Sequence, residues 1–216
     1  MLALAAQGAA DEGDWLVADV QIAGRGRMGR QWQSPEGNFY GSTLVMLRPG
    51  DPASSALSLA AGLGLFVAVG DPARVKWPND LLIGDAKVAG ILLERQGNAV
   101  VIGFGINIAS APKIEGRKTT CLNIDGNFDG TVDDMLGRLV TWVPWAVKFW
   151  REQGVAALCR RWEDEAHPRG TPLDVNMPDG QRYKGQFDGL TDDGALRLRL
   201  ADGAIRVIHA GDVFLI

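Results

Sequence analysis

Residues 76–92 read Lys76-Trp77-Pro78-Asn79-Asp80-Leu81-Leu82-Ile83-Gly84-Asp85-Ala86-Lys87-Val88-Ala89-Gly90-Ile91-Leu92, and their punctuation sets the fold around them. Arg74 to Lys76 forms a short strand that Pro78 stops, because proline forces the preceding Trp77 into an extended conformation and offers no N–H. Leu81 to Ile83 and Lys87 to Glu94 flank Gly84-Asp85-Ala86, a hairpin signal. Asn79 and Asp80 leave the sheet at an edge or mouth, where polar groups can meet a ligand. The turn brings Lys87, at the start of the return strand, toward the same end as Asp80. A plainer account also fits: a Trp-Pro core plug with a surface ion pair, worth little.

Downstream, Asn98 to Ile108 is a strand with two unlike faces. Val100, Ile102, Phe104 and Ile106 are apolar on one side, while Val101, Gly103, Gly105 and Asn107 face the other. The two glycines leave bare backbone as a floor, and Asn107 offers an amide donor and acceptor beside it. A β-bulge with a surface Asn is the bland alternative. Upstream, Leu2 to Gln7 reads as a helix stub, Trp15 to Gln21 as a strand, Ile22 to Asn38 as a long loop and Phe39 to Leu47 as a strand. Pro52 stands at a helix N1 position, and Ala53 to Val69 continues as an apolar, buried helix.

Residues 109–130 read as irregular. Thr131 caps a helix with Asp133 and Asp134 in its first turn. Met135, Leu139, Trp142, Ala146 and Phe149 recur at helical spacing. Pro144 is expected to kink this helix, and Gly154 to divide it from Val155 to Glu165. The tail changes character: Leu173–Asn176, Arg182–Asp188, Ala195–Leu200, Ala204–His209 and Val213–Ile216 alternate between Asp-Gly turns. That predicts a small β-barrel. The fold class is therefore α+β, a mixed sheet packed on helices followed by a small barrel. The domain boundary falls near residue 168, giving 1–168 and 169–216.

Composition narrows the function classes. The chain has 216 residues, 46% of them hydrophobic, and a net charge of −4. It can bury a large core, and it lacks the positive charge of a general nucleic-acid binder. Cys121 and Cys159 stand far apart, which fits a reducing cytoplasm rather than a disulfide framework. Met1 to Ala10 has no basic start, and no run is long and apolar enough for a membrane span.

Gly24-Arg25-Gly26-Arg27-Met28-Gly29 follows a strand and matches GxGxxG. A dinucleotide site is nevertheless disfavoured. No helix can follow in Gln31-Trp32-Gln33-Ser34-Pro35, the intervening positions are cationic, and no acidic residue closes a second strand at the required distance. The loop reads better as an anion clamp. Arg25, Arg27 and Arg30 are charged planar forks suited to carboxylate and phosphate, and Trp32 can cover a flat ring. A solvated basic loop is the alternative.

Three stretches together resemble the biotin protein ligase family: Gln21-Ile22-Ala23-Gly24-Arg25-Gly26-Arg27 with Trp32 and Ser34-Pro35; Lys76 to Leu81 followed by Lys87 to Leu92; and Gly103 to Asn107. The tail is similar to that family's SH3-like C-terminal domain. The resemblance implies a class II synthetase-like biotin/lipoate ligase fold that forms biotinyl-5'-AMP from biotin and ATP. The biotinyl group then passes to a lysine of a biotin carboxyl carrier protein, as in acetyl-CoA carboxylase. It implies that Gln21, Gly24, Arg25, Arg27, Lys87, Gly103 and Gly105 bind biotin, and that Arg27, Trp32, Asn79 and Asn107 bind the nucleotide. Lys87, Arg25, Arg27 and Asp80 would act in catalysis. Asp80 could orient Lys87, assist magnesium, or take a proton from the acceptor lysine. Mg²⁺ is expected with ATP, and a homodimer through sheet edges is allowed.

The chemistry is coherent. A carboxylate must attack a phosphate, both are anions, and cations between them stabilise the transition state. The labile adenylate needs a lid, and the 22–38 loop is the natural one. The sequence shows no winged-helix segment, so no DNA-binding role is expected. The family's Ser-Thr-Asn element should end where Met1 stands. A weakly catalytic biotin- or nucleotide-binding protein is therefore the second reading, and a lipoate-type acyl ligase the third.

Overall fold

The computed structural model describes residues 1–216. Two sheets carry the chain. The first has six strands in the order β1-β2-β6-β5-β4-β3: β1 (Trp15–Ala18), β2 (Phe39–Met46), β3 (Ala73–Lys76), β4 (Asp80–Ile83), β5 (Ala86–Gln96) and β6 (Ala99–Ile106). The second runs β10-β9-β8-β7-β11, from β7 (Pro172–Asn176), β8 (Arg182–Leu190), β9 (Leu196–Arg199), β10 (Ile205–Ile208) and β11 (Asp212–Leu215). Helices α1 (Leu2–Ala6), α2 (Leu57–Val69), α3 (Leu122–Asp125) and α4 (Val132–Asp164) complete the fold. No helix is long and apolar enough to cross a membrane.

All the ladders are antiparallel. The mixed character expected of the first sheet is confined to two isolated parallel bridges, Val75 with Ala166 and Lys87 with Thr119. The reason is connectivity: β3 to β6 follow one another through tight turns, which permit only antiparallel pairing.

Several expected boundaries shift. β1 ends at Ala18, so Gln21 lies in the loop. Asp80 is the first residue of β4 and pairs with Lys76; only Trp77 to Asn79 leave the sheet. The buried helix starts at Leu57 after a short 3-10 turn at Ser54–Ala56, leaving Pro52 outside it. The 109–130 stretch contains α3. Thr131 does cap α4, through a reciprocal box with Asp134. Pro144 sits inside α4, while the helical backbone breaks at Gly154 (φ 75°, ψ 177°), a conformation glycine adopts without a Cβ clash.

α2 is buried almost throughout and packs against α4. A Cβ at Gly64 would lie 2.9 Å from the Trp142 carbonyl oxygen and 3.0 Å from the Val143 Cα, so the two backbones meet there. The second sheet shares the same apolar core through Leu173, Val175, Phe187, Leu196 and Leu198. Trp77 fastens it further, its indole N–H donating to the Gly194 carbonyl at 3.0 Å. The tryptophan of the 76–92 motif thus serves as a strut between the sheets.

Candidate active site

A cavity of about 540 Å³ opens on the sheet face away from α2, between the glycine-arginine loop, residues 107–119 and the start of β11. Its floor comes from β5 and β6. The antiparallel register sets Gly90 opposite Gly105 and Leu92 opposite Gly103, so the barest stretches of the two strands lie side by side.

Lys87 and Asp80 meet at one end of this floor. The hairpin and a bulge between Leu81 and Leu82 bring them together. Asp80 is buried and divides its carboxylate: Oδ1 accepts from Lys87 Nζ, and Oδ2 accepts from Lys76 Nζ at 2.8 Å. Burial would raise its pKa, but the two ammonium groups outweigh burial and hold the carboxyl well below its usual range. Burial pushes Lys87 below the ordinary lysine value, with Asp80 opposing the shift. The cluster carries one cation more than it has carboxylates. The backbone of Lys87 is held by the next wall, its N–H donating to Lys118 and its carbonyl accepting from Thr120.

The glycine-arginine segment folds back on itself. Trp32 N–H donates to the Gly24 carbonyl at 2.9 Å and Gly26 N–H to that of Arg30 at 2.7 Å. Arg25 pairs with Glu94 of β5 at 2.9 Å. Arg27 reaches Asn79, donating to its Oδ1 at 3.1 Å, while the Asn79 amide donates to the Ile91 carbonyl. Both ends of Asn79 are therefore engaged by protein. Gln21 accepts from the Ser34 hydroxyl at 3.2 Å and lines the cavity.

Trp32 takes an unexpected place. Its indole lies on the glycine floor, so that a Cβ at Gly105 would stand 2.5 Å from ring atom Cε2. Lys87 Nζ is 5.4 Å from the ring centroid, and the indole N–H is buried without a partner. Gly103 remains uncovered by it. The side chain expected to cover a ligand ring thus occupies the floor expected to lie under the ligand. Asn107 is buried at the far end. Its amide donates to the Thr120 carbonyl at 3.0 Å, and its Oδ1 is buried with no partner.

Sequence reasoning missed Lys76 as the second partner of Asp80, Glu94 as the partner of Arg25, and Arg117 and Asp212 as cavity walls. Lys76 was missed because Asp80 was read as leaving the sheet, whereas it pairs with Lys76 across β3 and β4. Arg117 sits in an aperiodic run, and Asp212 at the start of an ordinary-looking strand. For a metal ion, no group of three or more His, Cys, Asp or Glu converges anywhere in the chain. Asp80, the one carboxylate beside Lys87, has both oxygens engaged by lysines. The residues do not fit a protein-held Mg²⁺.

Comparisons with known proteins identify the family. Residues 5–107 match the biotin/lipoate A/B protein ligase family, and residues 174–216 match the biotin protein ligase C terminal domain. A biotin--[acetyl-CoA-carboxylase] ligase of Paracoccus denitrificans is 37% identical, over 93% of this chain and 89% of that protein. One from Mycobacterium tuberculosis is 34% identical, over 99% and 83%. The biotin protein ligase from Aquifex aeolicus in complex with biotin and ATP superposes with a TM-score of 0.83 at 26% identity, over 96% of this chain and 91% of that one. Motifs, fold and relatives converge: the chain belongs to the biotin protein ligase family.

Proposed function

We propose that the chain joins biotin to ATP as biotinyl-5'-AMP, releasing pyrophosphate. It then transfers the biotinyl group to a lysine ε-amine of a biotin carboxyl carrier protein, releasing AMP and a proton. The observation that carries this reading is Lys87, held by Asp80 over a glycine floor in a cluster with surplus positive charge. A carboxylate oxygen attacking the α-phosphorus needs a cation between two anions, and Lys87 is placed to be that cation. Arg25 and Arg27 supply the outer charge, and Gln21, Gly103 and Gly105 line the biotin side; Gly24, buried against Trp32, Gln21 and Ser34, does not reach the cavity and packs the loop instead.

On this reading Asp80 holds the Lys87 ammonium over the Gly90 end of the floor. Asn107 offers its unpartnered Oδ1 to an exocyclic amine of adenine. Trp32 must swing off Gly105 before ligand enters and then closes over the purine. Asn79 serves first to tether Arg27 and meets the nucleotide only if that tether opens. Mg²⁺ enters as part of the nucleotide complex, its oxygens supplied by phosphate. Residues 1–168 form the catalytic unit and 169–216 the smaller one. A cytoplasmic, DNA-independent enzyme fits the cysteine usage and the charge of −4.

Pyrophosphate release on mixing the chain with biotin and ATP, followed by a mass gain on the carrier lysine, tests the proposal. Release driven equally well by lipoate would favour the third reading. Biotin binding with no pyrophosphate would favour the second.

A further inference from the structure

The outer face of α4 carries a pattern that the chain's own fold does not use. The run from Leu139 to Val147 contains no charged residue, and only part of it is buried. Val140 is 46% exposed, Trp142 and Trp145 are each 36% exposed, and Thr141 and Pro144 also face outward. Trp142 and Trp145 meet edge to face, with ring centroids 5.9 Å apart. The Thr141 hydroxyl donates to the Gly137 carbonyl at 3.1 Å, so covering this side chain strands no donor.

Gly137 is out of place on the same face. Glycine weakens a helix interior and is kept where a turn or a close approach demands it. Neither applies here: its backbone is helical, and a Cβ added to it would meet nothing within 4 Å. Symmetry gives it a use. Asp134, Gly137, Thr141, Trp145 and Lys148 follow one another at helical steps of three, four, four and three, and all are exposed. They form one stripe that reads the same in both directions from Thr141. A two-fold axis at Thr141 lays this stripe antiparallel on a second copy of itself. Trp145 of each copy then fills the gap over Gly137 of the other, and Lys148 of each meets Asp134 of the other. The Lys148 side chain is 70% exposed and free to turn toward that partner. A parallel pairing would instead set Lys148 against Lys148 and Trp145 against Trp145, so charge and shape both select the antiparallel one.

We propose that this face of α4 is a homodimer interface, an isologous antiparallel helix pair centred on Thr141. It is a different surface from the sheet edges that the sequence offered for a dimer. α4 packs on α2, and the cavity opens on the sheet face away from α2, so both cavities stay open in the pair. From Asp134 to Lys148 the contact runs about 21 Å along the helix. That is short for a permanent interface, so the dimer forms reversibly, at about micromolar concentration or above. The inference does not depend on the ligase reading of the cavity.

Sedimentation of the full chain between about 1 and about 100 µM should show a monomer–dimer equilibrium. Gly137→Leu fills the gap that receives Trp145 and should weaken the dimer by about tenfold or more. The same change improves helix propensity, so the monomer should melt no lower than the unaltered chain. Thr141→Cys places a thiol on the two-fold axis. Dioxygen with a copper catalyst should then link two chains through it, since the native Cys121 and Cys159 are buried. Asp202→Cys, on an exposed turn of the second sheet, should stay unlinked under the same oxidation. A chain that remains monomeric throughout, or equal cross-linking at positions 141 and 202, overturns the proposal. So does a dimer unmoved by Gly137→Leu, which would place the interface elsewhere, as at a sheet edge.

Discussion

Val100, Ile102, Phe104 and Ile106 point from β6 into the apolar core, while Val101, Gly103 and Gly105 of the same strand, and Asn107 just past its end, border the cavity. One face is filled by apolar side chains buried in the core. The other is thinned to bare backbone, ringed by surplus cations and covered by one indole. Two glycines sharpen the contrast. At Gly64 an added Cβ would strike the backbone of α4; at Gly105 it would strike the Trp32 ring. A buried helix backbone cannot yield, whereas a side chain on a long loop can. One face spends its bonding capacity on stability, and the other keeps it for a ligand.

The largest expected effect comes from Lys87→Ala. Pyrophosphate release should fall by roughly 10²–10³, the cost of losing a preorganised electrostatic contact. Unfolding should stay cooperative, because Lys87 is cavity-facing rather than core. Normal release would remove Lys87 from the mechanism and erase the functional half of the contrast.

Next are the two glycines. Gly64→Val should destabilise the fold by about 1–3 kcal/mol through overpacking. Gly105→Val should shift the melting midpoint much less. Its signature would be a change in Trp32 fluorescence and loss of ligand binding. If the two variants melt alike, the faces do not differ as described.

A subtler effect is pH-dependent. Asp80 in the folded chain titrates below its ordinary 3.8, so between the two values the unfolded chain binds more protons. Its stabilising contribution is complete above 3.8 and disappears as pH falls through the lowered folded value. Denaturant unfolding followed downward from about pH 5 should therefore show a limb that Asp80→Asn flattens. Equal slopes in the two proteins would mean that the Lys76–Asp80–Lys87 cluster does not hold in solution.

The smallest effect concerns Met28, which adopts a left-handed backbone (φ 57°) in the exposed glycine-arginine loop. Such strain costs a side-chain-bearing residue about 1 kcal/mol or more, part of which Met28→Gly recovers while adding chain entropy. Stability should move by less than about 1 kcal/mol, and any change should appear in loop hydrogen exchange. A large loss of stability would show that Met28 packs against more than the loop.

Legibility followed distance along the chain. The β4–β5 hairpin, the alternation of β6 and the Thr131 cap rest on residues a few positions apart, and all three were readable. The end of β1 and the start of α2 at Leu57 were not, because packing by remote segments overrides local preference there. In the site, the Asp80–Lys87 encounter was legible through its turn. The sharing of Asp80 with Lys76 was not, because Asp80 was read as leaving the strand that in fact pairs it with Lys76.

The sequence by itself determined where strands reverse, which strand face is stripped to glycine, and that three motifs resemble one ligase family. These follow from backbone limits and side-chain periods acting through the covalent chain. Only the tertiary structure decided that Trp32 rests on Gly105, that Asn107 keeps an unpartnered oxygen, and that Asp212 reaches Arg30 and Arg117. Those contacts join groups that are remote in sequence. They depend on how the glycine-arginine loop, the 107–120 segment and the second sheet fold over the first sheet, and no local preference of any of these residues encodes that placement.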